Sequence, residues 1–157
     1  MSARSRTVRP AVAVRALAYG WALPCTALGL ILVGAALTTG ARVKVVDGVL
    51  EAHGGLLEPL LRRCVPLRGG ASAMTLGHVV VGRDAHALHR TRAHERAHVR
   101  QAERWGPLFV PAYLVSSLVV AVRGGHYYRD NRFERDAVEV AARTHPGPAP
   151  ADPWVSL

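Results

Sequence analysis

Hydrophobic and polar positions divide this chain into an uncharged N-terminal run, a middle part with strand-like patterns and a C-terminal half with helix-like patterns. The run from Ala16 to Leu37 carries no charged side chain and is long enough to cross a bilayer as a helix. The segment before it is polar and basic. We therefore predict a basic segment over residues 1–15 and an N-terminal transmembrane helix over residues 16–37.

Strand-like patterns follow the uncharged run. Two β-prone runs flank Asp47-Gly48 within the stretch from Arg42 to His53. An Asp-Gly pair between such runs is the strongest short-range signal for a β-hairpin. The run from Met74 to Val81 is typical of one further strand. Together these patterns predict a small sheet of about three strands.

A helix is predicted next, because Thr91 is a suitable N-cap and Gly106-Pro107 is a typical stop. This helix would run from Arg92 to Trp105. The uncharged run that follows, residues 108–122, is short for a bilayer crossing and contains a proline. Its composition favours a core helix or one that dips into a membrane.

The last predicted helix begins after Asp130-Asn131, either of which can serve as its N-cap, and it continues to Thr144. Residues 146–157 form a Pro-rich tail. The predicted fold class is therefore α+β. An N-terminal transmembrane helix precedes a domain over residues 41–145, in which a small sheet packs on the two helices.

The first of these two helices contains the pattern H-E-x-x-H as His94, Glu95 and His98. Residues four apart share one face of a helix, so both imidazoles can reach one metal ion and the Glu can act on water beside it. Gln101 falls on the same stripe and could hold a histidine tautomer, as could Asp136. Buried polar groups need partners, and a zinc ion would satisfy both histidines.

The opposite face of this helix carries Arg96, Val99, Arg100 and Glu103. Arg and Glu are residue types of solvent-exposed surfaces. The pattern therefore predicts that this face, with Arg96, points to solvent and that the histidine stripe is buried.

Catalytic zinc usually has three protein ligands and one open position, so a third ligand is needed. The candidates are Glu103, Glu134, Glu139, Asp136, His78 and His126. Glu103 is excluded because it lies on the opposite face of the helix that carries the two histidines. On a helical projection Glu134 falls on the apolar flank of the last helix, where an unpaired carboxylate would be costly. Glu139 falls among arginines, where a solvated ion pair is a sufficient explanation. The pattern favours Glu134, although Glu134 could instead complete a capping box with Asn131.

Three segments resemble a group of small bacterial membrane proteins with gluzincin-like metallopeptidase motifs. They are H-E-R-A-H-V-R-Q from His94, R-W-G-P-L-F-V-P-A-Y from Arg104 and Y-R-D-N-R-F-E-R-D-A from Tyr128. The resemblance implies that His94, His98 and Glu134 bind Zn²⁺ and that Glu95 is the general base for a zinc-activated water. It also implies a peptide or protein substrate. The chain has N-R-F-E-R-D in place of the N-E-x-x-S-D pattern of larger gluzincins.

Amide hydrolysis also requires a hydrogen-bond donor for the oxyanion that develops on the substrate. The nearest candidates along the sequence are His126, Tyr127 and Tyr128. Packing is the alternative role for these three rings.

The formal charge of +9 leaves a second class of function open. A basic protein can bind nucleic acid or an anionic lipid surface. The arginines are scattered along the chain and no nucleic-acid-reading motif occurs, so nucleic acid is the less suitable partner. A catalytically inactive zinc-binding membrane protein is the other alternative. The arginines before the predicted anchor favour an N-terminus inside the cell and a domain on the extracytoplasmic side.

Overall fold

The structure is a computed structural model that describes residues 17–67 and 69–144. The predicted basic segment over residues 1–15 and the Pro-rich tail over residues 146–157 lie outside the described residues. The fold is α+β, as predicted. Its helices are α1 (Leu23–Leu37), α2 (Leu57–Arg63), α3 (Ala85–Trp105), α4 (Phe109–Val122) and α5 (Arg132–Thr144), and its strands are β1 (Arg42–Val46), β2 (Val49–His53), β3 (Ala73–Leu76) and β4 (Val79–Gly82).

The four strands form one mixed sheet in the order β1-β2-β4-β3. The predicted hairpin around Asp47-Gly48 is confirmed, because β1 and β2 pair antiparallel on either side of it. Both turn residues have positive φ, 49° and 78°, as a two-residue hairpin turn of this kind requires. Strand β4 pairs parallel to β2 and antiparallel to β3.

The prediction of a single strand from Met74 to Val81 is wrong, because Gly77 and His78 form a turn inside it. Gly77 has a φ of 62°, and a Cβ there would lie only 2.2 Å from Thr26 Oγ1. Only glycine fits such a turn without strain. Strands β3 and β4 are the two arms of this hairpin, so the sheet has four strands rather than about three.

Helices cover both faces of the sheet. Val79 and Val81 of β4 pack towards α1 and α2, while Val80 packs towards Val99 of α3, as alternation along a strand requires. Helix α5 packs against α3, where Phe133 belongs to a separate apolar cluster. Helix α3 therefore lies between the sheet and α5, and both of its faces are buried.

Helix α1 lies within the predicted transmembrane segment but packs against the sheet. Its buried residues are Cys25, Gly29, Val33 and Ala36. A Cβ on Gly29 would lie 2.6 Å from Val79 Cβ, so the helix approaches β4 closely. An N-terminal transmembrane helix is thus not shown. In the described part of the chain, the stretch that is long and apolar enough to cross a membrane is Ala85–Val122, which contains α3, a 3-10 turn at Gly106–Leu108 and α4.

Helix α3 begins earlier than predicted. It starts directly after Asp84, whose Oδ1 accepts a hydrogen bond from the Ala87 N–H at 2.7 Å. Thr91, the predicted N-cap, lies inside the helix and donates its hydroxyl to the Ala87 carbonyl. The predicted end is confirmed, because the helix stops at Trp105 and Gly106 has a φ of 55°.

The prediction that Arg96 points to solvent is also wrong, because Arg96 faces the sheet. Its Nη2 donates to the Val46 carbonyl at 2.6 Å and lies 3.3 Å from Glu51 Oε1. Glu51 is only 2% exposed, and Arg92 donates to both of its oxygens at 2.9 and 3.0 Å. The buried Glu51 carboxylate on β2 supplies an anionic partner, so arginine can lie on the face of α3 that packs against the sheet.

Candidate metal centre

The two histidines of the H-E-x-x-H pattern project from α3 towards Glu134 of α5. Their Nε2 atoms lie 3.0 Å apart. Glu134 Oε2 lies 3.1 Å from His94 Nε2, and Glu134 Oε1 lies 3.3 Å from His98 Nε2. His98 and Glu134 are buried, whereas His94 is partly exposed. These three side chains form a group that could hold a metal ion.

The spacing of the three atoms is close to what a metal ion requires. Zinc bonds nitrogen and oxygen ligands at about 2.0–2.1 Å, so two ligands of a tetrahedral ion lie about 3.3 Å apart. Glu134 Oε2 is buried and accepts no hydrogen bond from the described residues, although His94 Nε2 is 3.1 Å away. A cation shared by the three side chains would satisfy this oxygen. The distances do not select one metal, but two imidazoles and a carboxylate suit zinc.

Glu134 is held in the ionised form that a metal ligand needs. Burial by itself raises the pKa of this carboxyl group. The neighbouring imidazoles of His94 and His98 outweigh burial and hold the pKa well below its usual range.

The N-cap of α5 places Glu134 next to α3. Asn131 Oδ1 accepts a hydrogen bond from the Phe133 N–H at 2.9 Å, and Asn131 Nδ2 donates to Ser117 Oγ at 2.7 Å. These contacts fix the start of α5 against the middle of α4. Glu134 therefore does not serve in the cap, and its Oε1 accepts a hydrogen bond from the Tyr113 hydroxyl at 2.7 Å.

The other candidates for a third ligand have different partners. Glu139 is exposed and lies 2.5 Å from Arg143 across one turn of α5. His78 Nε2 lies 3.0 Å from Glu103 Oε1, and its ring stacks on Tyr19. Neither residue belongs to the His94, His98 and Glu134 group.

Gln101 lies behind His98 and connects it to α5. Its Oε1 lies 2.8 Å from His98 Nδ1. Its Nε2 donates to the Phe133 carbonyl at 3.0 Å and to Asp136 Oδ2 at 2.7 Å. Asp136, a candidate ligand in the sequence, therefore contacts Gln101 rather than the ligand atoms.

Glu95 lies in the same buried region as Glu134. It is 5% exposed, and its Oε2 accepts a hydrogen bond from Thr75 Oγ1 on the edge strand β3 at 2.6 Å. Burial, the Glu134 carboxylate and, more weakly, Tyr113 and Glu95 raise the pKa of Tyr128. The two carboxylates and two phenol groups therefore lie close enough to influence one another. Nothing in the strand pattern around Thr75 indicated this contact.

The hydrogen bonds and ring contacts found for His126 and Tyr127 among the described residues do not include the three ligand side chains. The Tyr127 hydroxyl donates to the Pro66 carbonyl, and the exposed His126 ring stacks on the Tyr127 ring. Tyr113 and Tyr128 lie beside Glu134 instead. Sequence analysis missed Tyr113. Tyr113 lies three and four positions before Ser116 and Ser117, the other polar residues of an otherwise apolar helix. This helical spacing places the three on one face and could have indicated a buried polar contact.

Comparison of the chain with protein-family models, with curated proteins and with solved structures gives no match. The similarity to gluzincin-like proteins therefore stays a prediction. The functional argument depends on the geometry of His94, His98, Glu134 and Glu95.

Proposed function

We propose that the protein is a zinc-dependent peptidase that hydrolyses peptide bonds at a membrane. One observation carries the proposal. The ligand atoms of His94, His98 and Glu134 converge at 3.0 to 3.3 Å, and the buried Glu134 Oε2 accepts no hydrogen bond from the described residues. Two histidines and one carboxylate form a donor set of catalytic zinc sites that keep a fourth position open.

The chain supplies the groups that hydrolysis needs beside the metal. Zinc held by the three ligands would polarise a substrate carbonyl and make water more acidic. Glu95 takes the proton of the attacking water and passes it to the leaving amine. Thr75 holds Glu95 through Oε2, so proton transfer falls to Oε1. The raised pKa of Tyr128 keeps its hydroxyl protonated, so it stays a neutral hydrogen-bonding group beside the Glu134 carboxylate.

The membrane part of the proposal depends on α4 and α1. The polar residues of α4, Tyr113, Ser116 and Ser117, contact the start of α5 or Glu134. The exposed large residues of α4 are all apolar: Val110, Leu114, Val115, Leu118, Val119 and Val122. Those of α1 are Leu23, Leu28, Leu30, Ile31 and Leu37. Exposed apolar helix faces of this kind mark a membrane or protein contact.

We infer that a bilayer covers these helix faces. The stretch that contains α4 has the length and composition of a membrane helix, and the exposed Arg123 follows α4 directly, as expected at an interface. The positive charge of the chain favours an anionic surface. The exposed face of α1 is proposed to help hold the domain at the same bilayer, on its extracytoplasmic side.

A catalytically inactive zinc-binding membrane protein is the second candidate, and the burial of Glu95 is the observation that favours it. Metal binding alone does not separate the two candidates, because both use the same ligands. The Glu95→Gln substitution separates them. Glu95 is needed for proton transfer, but its carboxylate is not one of the three ligands.

The test uses the full-length chain, purified in detergent and loaded with Zn²⁺, against a mixture of peptides analysed by mass spectrometry. We expect cleavage by the parent and a loss of about 10²–10⁴-fold in Glu95→Gln, with the zinc content unchanged. Glu103→Gln is the matched control, since Glu103 faces His78, and it should cleave like the parent. Equal cleavage by parent and Glu95→Gln would contradict the proposed mechanism. A zinc-loaded parent that cleaves no peptide would favour the inactive candidate.

A further inference from the structure

The hydrogen bonds of Gln101 determine which way its side-chain amide points. The backbone carbonyl of Phe133 can only accept a hydrogen bond, and it lies 3.0 Å from the Gln101 amide. The Asp136 carboxylate, 2.7 Å away, also accepts when ionised. The Gln101 NH₂ group must therefore face α5. Its Oε1 must face the other way, towards His98.

The orientation of Gln101 in turn determines the proton position on His98. Gln101 Oε1 is an acceptor and lies 2.8 Å from His98 Nδ1, so Nδ1 carries the hydrogen. A neutral imidazole has one N–H, and its other nitrogen then has the lone pair. In His98 that other nitrogen is Nε2, the atom that lies 3.0 Å from His94 Nε2 and 3.3 Å from Glu134 Oε1.

The partners of Gln101 belong to the helix that supplies the third ligand. Phe133 directly precedes Glu134, and Asp136 follows it by two positions in α5. Packing of α5 against α3 therefore places the Glu134 carboxylate beside the histidines and also places the two acceptors that orient Gln101.

We infer that Gln101 is a positioning residue that fixes His98 in its Nδ1–H tautomer, and that Asp136 and the Phe133 carbonyl orient Gln101 for this task. The inference rests on the proposed metal centre. Gln101 and Asp136 touch no ion, yet zinc affinity depends on them. A metal-ligating histidine whose second nitrogen lacks its partner typically loses about 10–100-fold in metal affinity.

The experiment measures Zn²⁺ affinity of the full-length chain by competition with a chromophoric chelator. We expect Gln101→Met, which has a similar length and no amide, to bind Zn²⁺ about 10–100-fold more weakly than the parent. The double substitution Gln101→Glu with Asp136→Asn restores an acceptor for His98 Nδ1 and avoids two facing carboxylates. It should bind Zn²⁺ more tightly than Gln101→Met but more weakly than the parent, because the Phe133 carbonyl still loses its donor. Glu103→Gln, on the face of α3 that meets His78, is the control and should bind like the parent.

A second readout tests the tautomer directly. Two-bond ¹⁵N–¹H correlation spectra of the ¹⁵N-histidine-labelled parent distinguish an Nδ1–H ring from an Nε2–H ring. We expect His98 as Nδ1–H, and bonded to Zn²⁺ through Nε2. An Nε2–H ring at His98, or parent-like Zn²⁺ affinity in Gln101→Met, would overturn the inference. A parent that binds no Zn²⁺ overturns the proposed metal centre and, with it, the role inferred for Gln101.

Discussion

Glu134 Oε2 lies 3.1 Å from His94 Nε2, although the two residues belong to helices that α4 separates in the chain. A complete bilayer crossing by α4 would put α3 and α5 on opposite membrane surfaces. The start of α5 instead lies beside the middle of α4, where Ser117 accepts a hydrogen bond from Asn131. Contact between His94 and Glu134 is therefore incompatible with a complete bilayer crossing by α4.

Both flanks of α4 are accordingly expected in one compartment. His86→Cys on α3 and Glu139→Cys on α5 place thiols at exposed positions, in a background with Cys64→Ser because Cys64 is exposed. A membrane-impermeant maleimide added to one side of intact membranes should label both thiols or neither. Labelling of only one would place His94 and Glu134 on different sides and exclude Glu134 as a ligand.

Substitution of the third ligand tests the choice between the two glutamates of α5. Glu134→Gln should weaken Zn²⁺ binding by orders of magnitude, since it removes a ligand charge from a group of three. Glu139→Gln should bind like the parent, because Glu139 pairs with Arg143 on the surface. Calorimetric titration with Zn²⁺ compares the two variants. The reverse order of affinities would show that the assignment is wrong.

Local patterns predicted the parts of this fold that depend on neighbours in the chain. The Asp47-Gly48 hairpin and the stop at Gly106 are set by backbone conformations that few residue types adopt, so sequence reveals them. The turn at Gly77 was missed because the apolar run continues through it. The helix start at Asp84 was missed because Thr91 is also a good cap.

Partners that are distant in sequence explain the remaining errors. Arg96 was predicted in solvent because nothing along α3 indicates that Glu51 of β2 lies buried beneath it. In the candidate site, the four-residue spacing of His94 and His98 within one helix was sufficient to predict that the two imidazoles lie side by side. The contact of Thr75 with Glu95 was not predictable, because it joins an edge strand to a helix by tertiary packing alone.

The carboxylate of Glu51 should stabilise the fold measurably. Glu51→Gln leaves Arg92 and Arg96 without their anionic partner and should cost about 3 kcal/mol in the free energy of unfolding. Glu58→Gln removes an exposed pair with Arg62 and should cost less than about 1 kcal/mol. Denaturant unfolding followed by circular dichroism measures both. Equal losses of unfolding free energy in the two variants would contradict a stabilising ion pair between Glu51 of β2 and the arginines of α3.

The stabilisation by Glu51 should also depend on pH. Burial raises the pKa of Glu51, but hydrogen bonds and charges from Arg92 and Lys44 outweigh it and hold the pKa below its usual range. A lowered folded-state pKa means that the stabilisation is present above the unfolded pKa of about 4.3 and is lost as the pH falls through the folded value. The difference in stability between parent and Glu51→Gln should thus shrink below about pH 4.3. A difference that grows on acidification would be inconsistent with this pKa direction.

Gly106 should be intolerant of any side chain. A Cβ there would lie 2.3 Å from Trp21 Nε1, in addition to the strain of a φ of 55°. Gly124 has a φ of 79° with open space around it, so Gly124→Ala reports the strain alone, about 1 kcal/mol. Gly106→Ala should cost about 3 kcal/mol, since overpacking adds to strain. Thermal unfolding of the two variants compares these losses, and equal losses would argue against close packing of Trp21 on the corner between α3 and α4.

The most direct test of the metal centre is the zinc content of the full-length chain after expression with zinc and removal of loosely bound ions. Elemental analysis should give one zinc per parent chain and far less in His98→Ala, because His98 Nε2 is one of three converging ligand atoms. The matched control His89→Ala changes an exposed histidine of the same helix and should retain one zinc per chain. Full zinc content in His98→Ala, or none in the parent, would contradict the account.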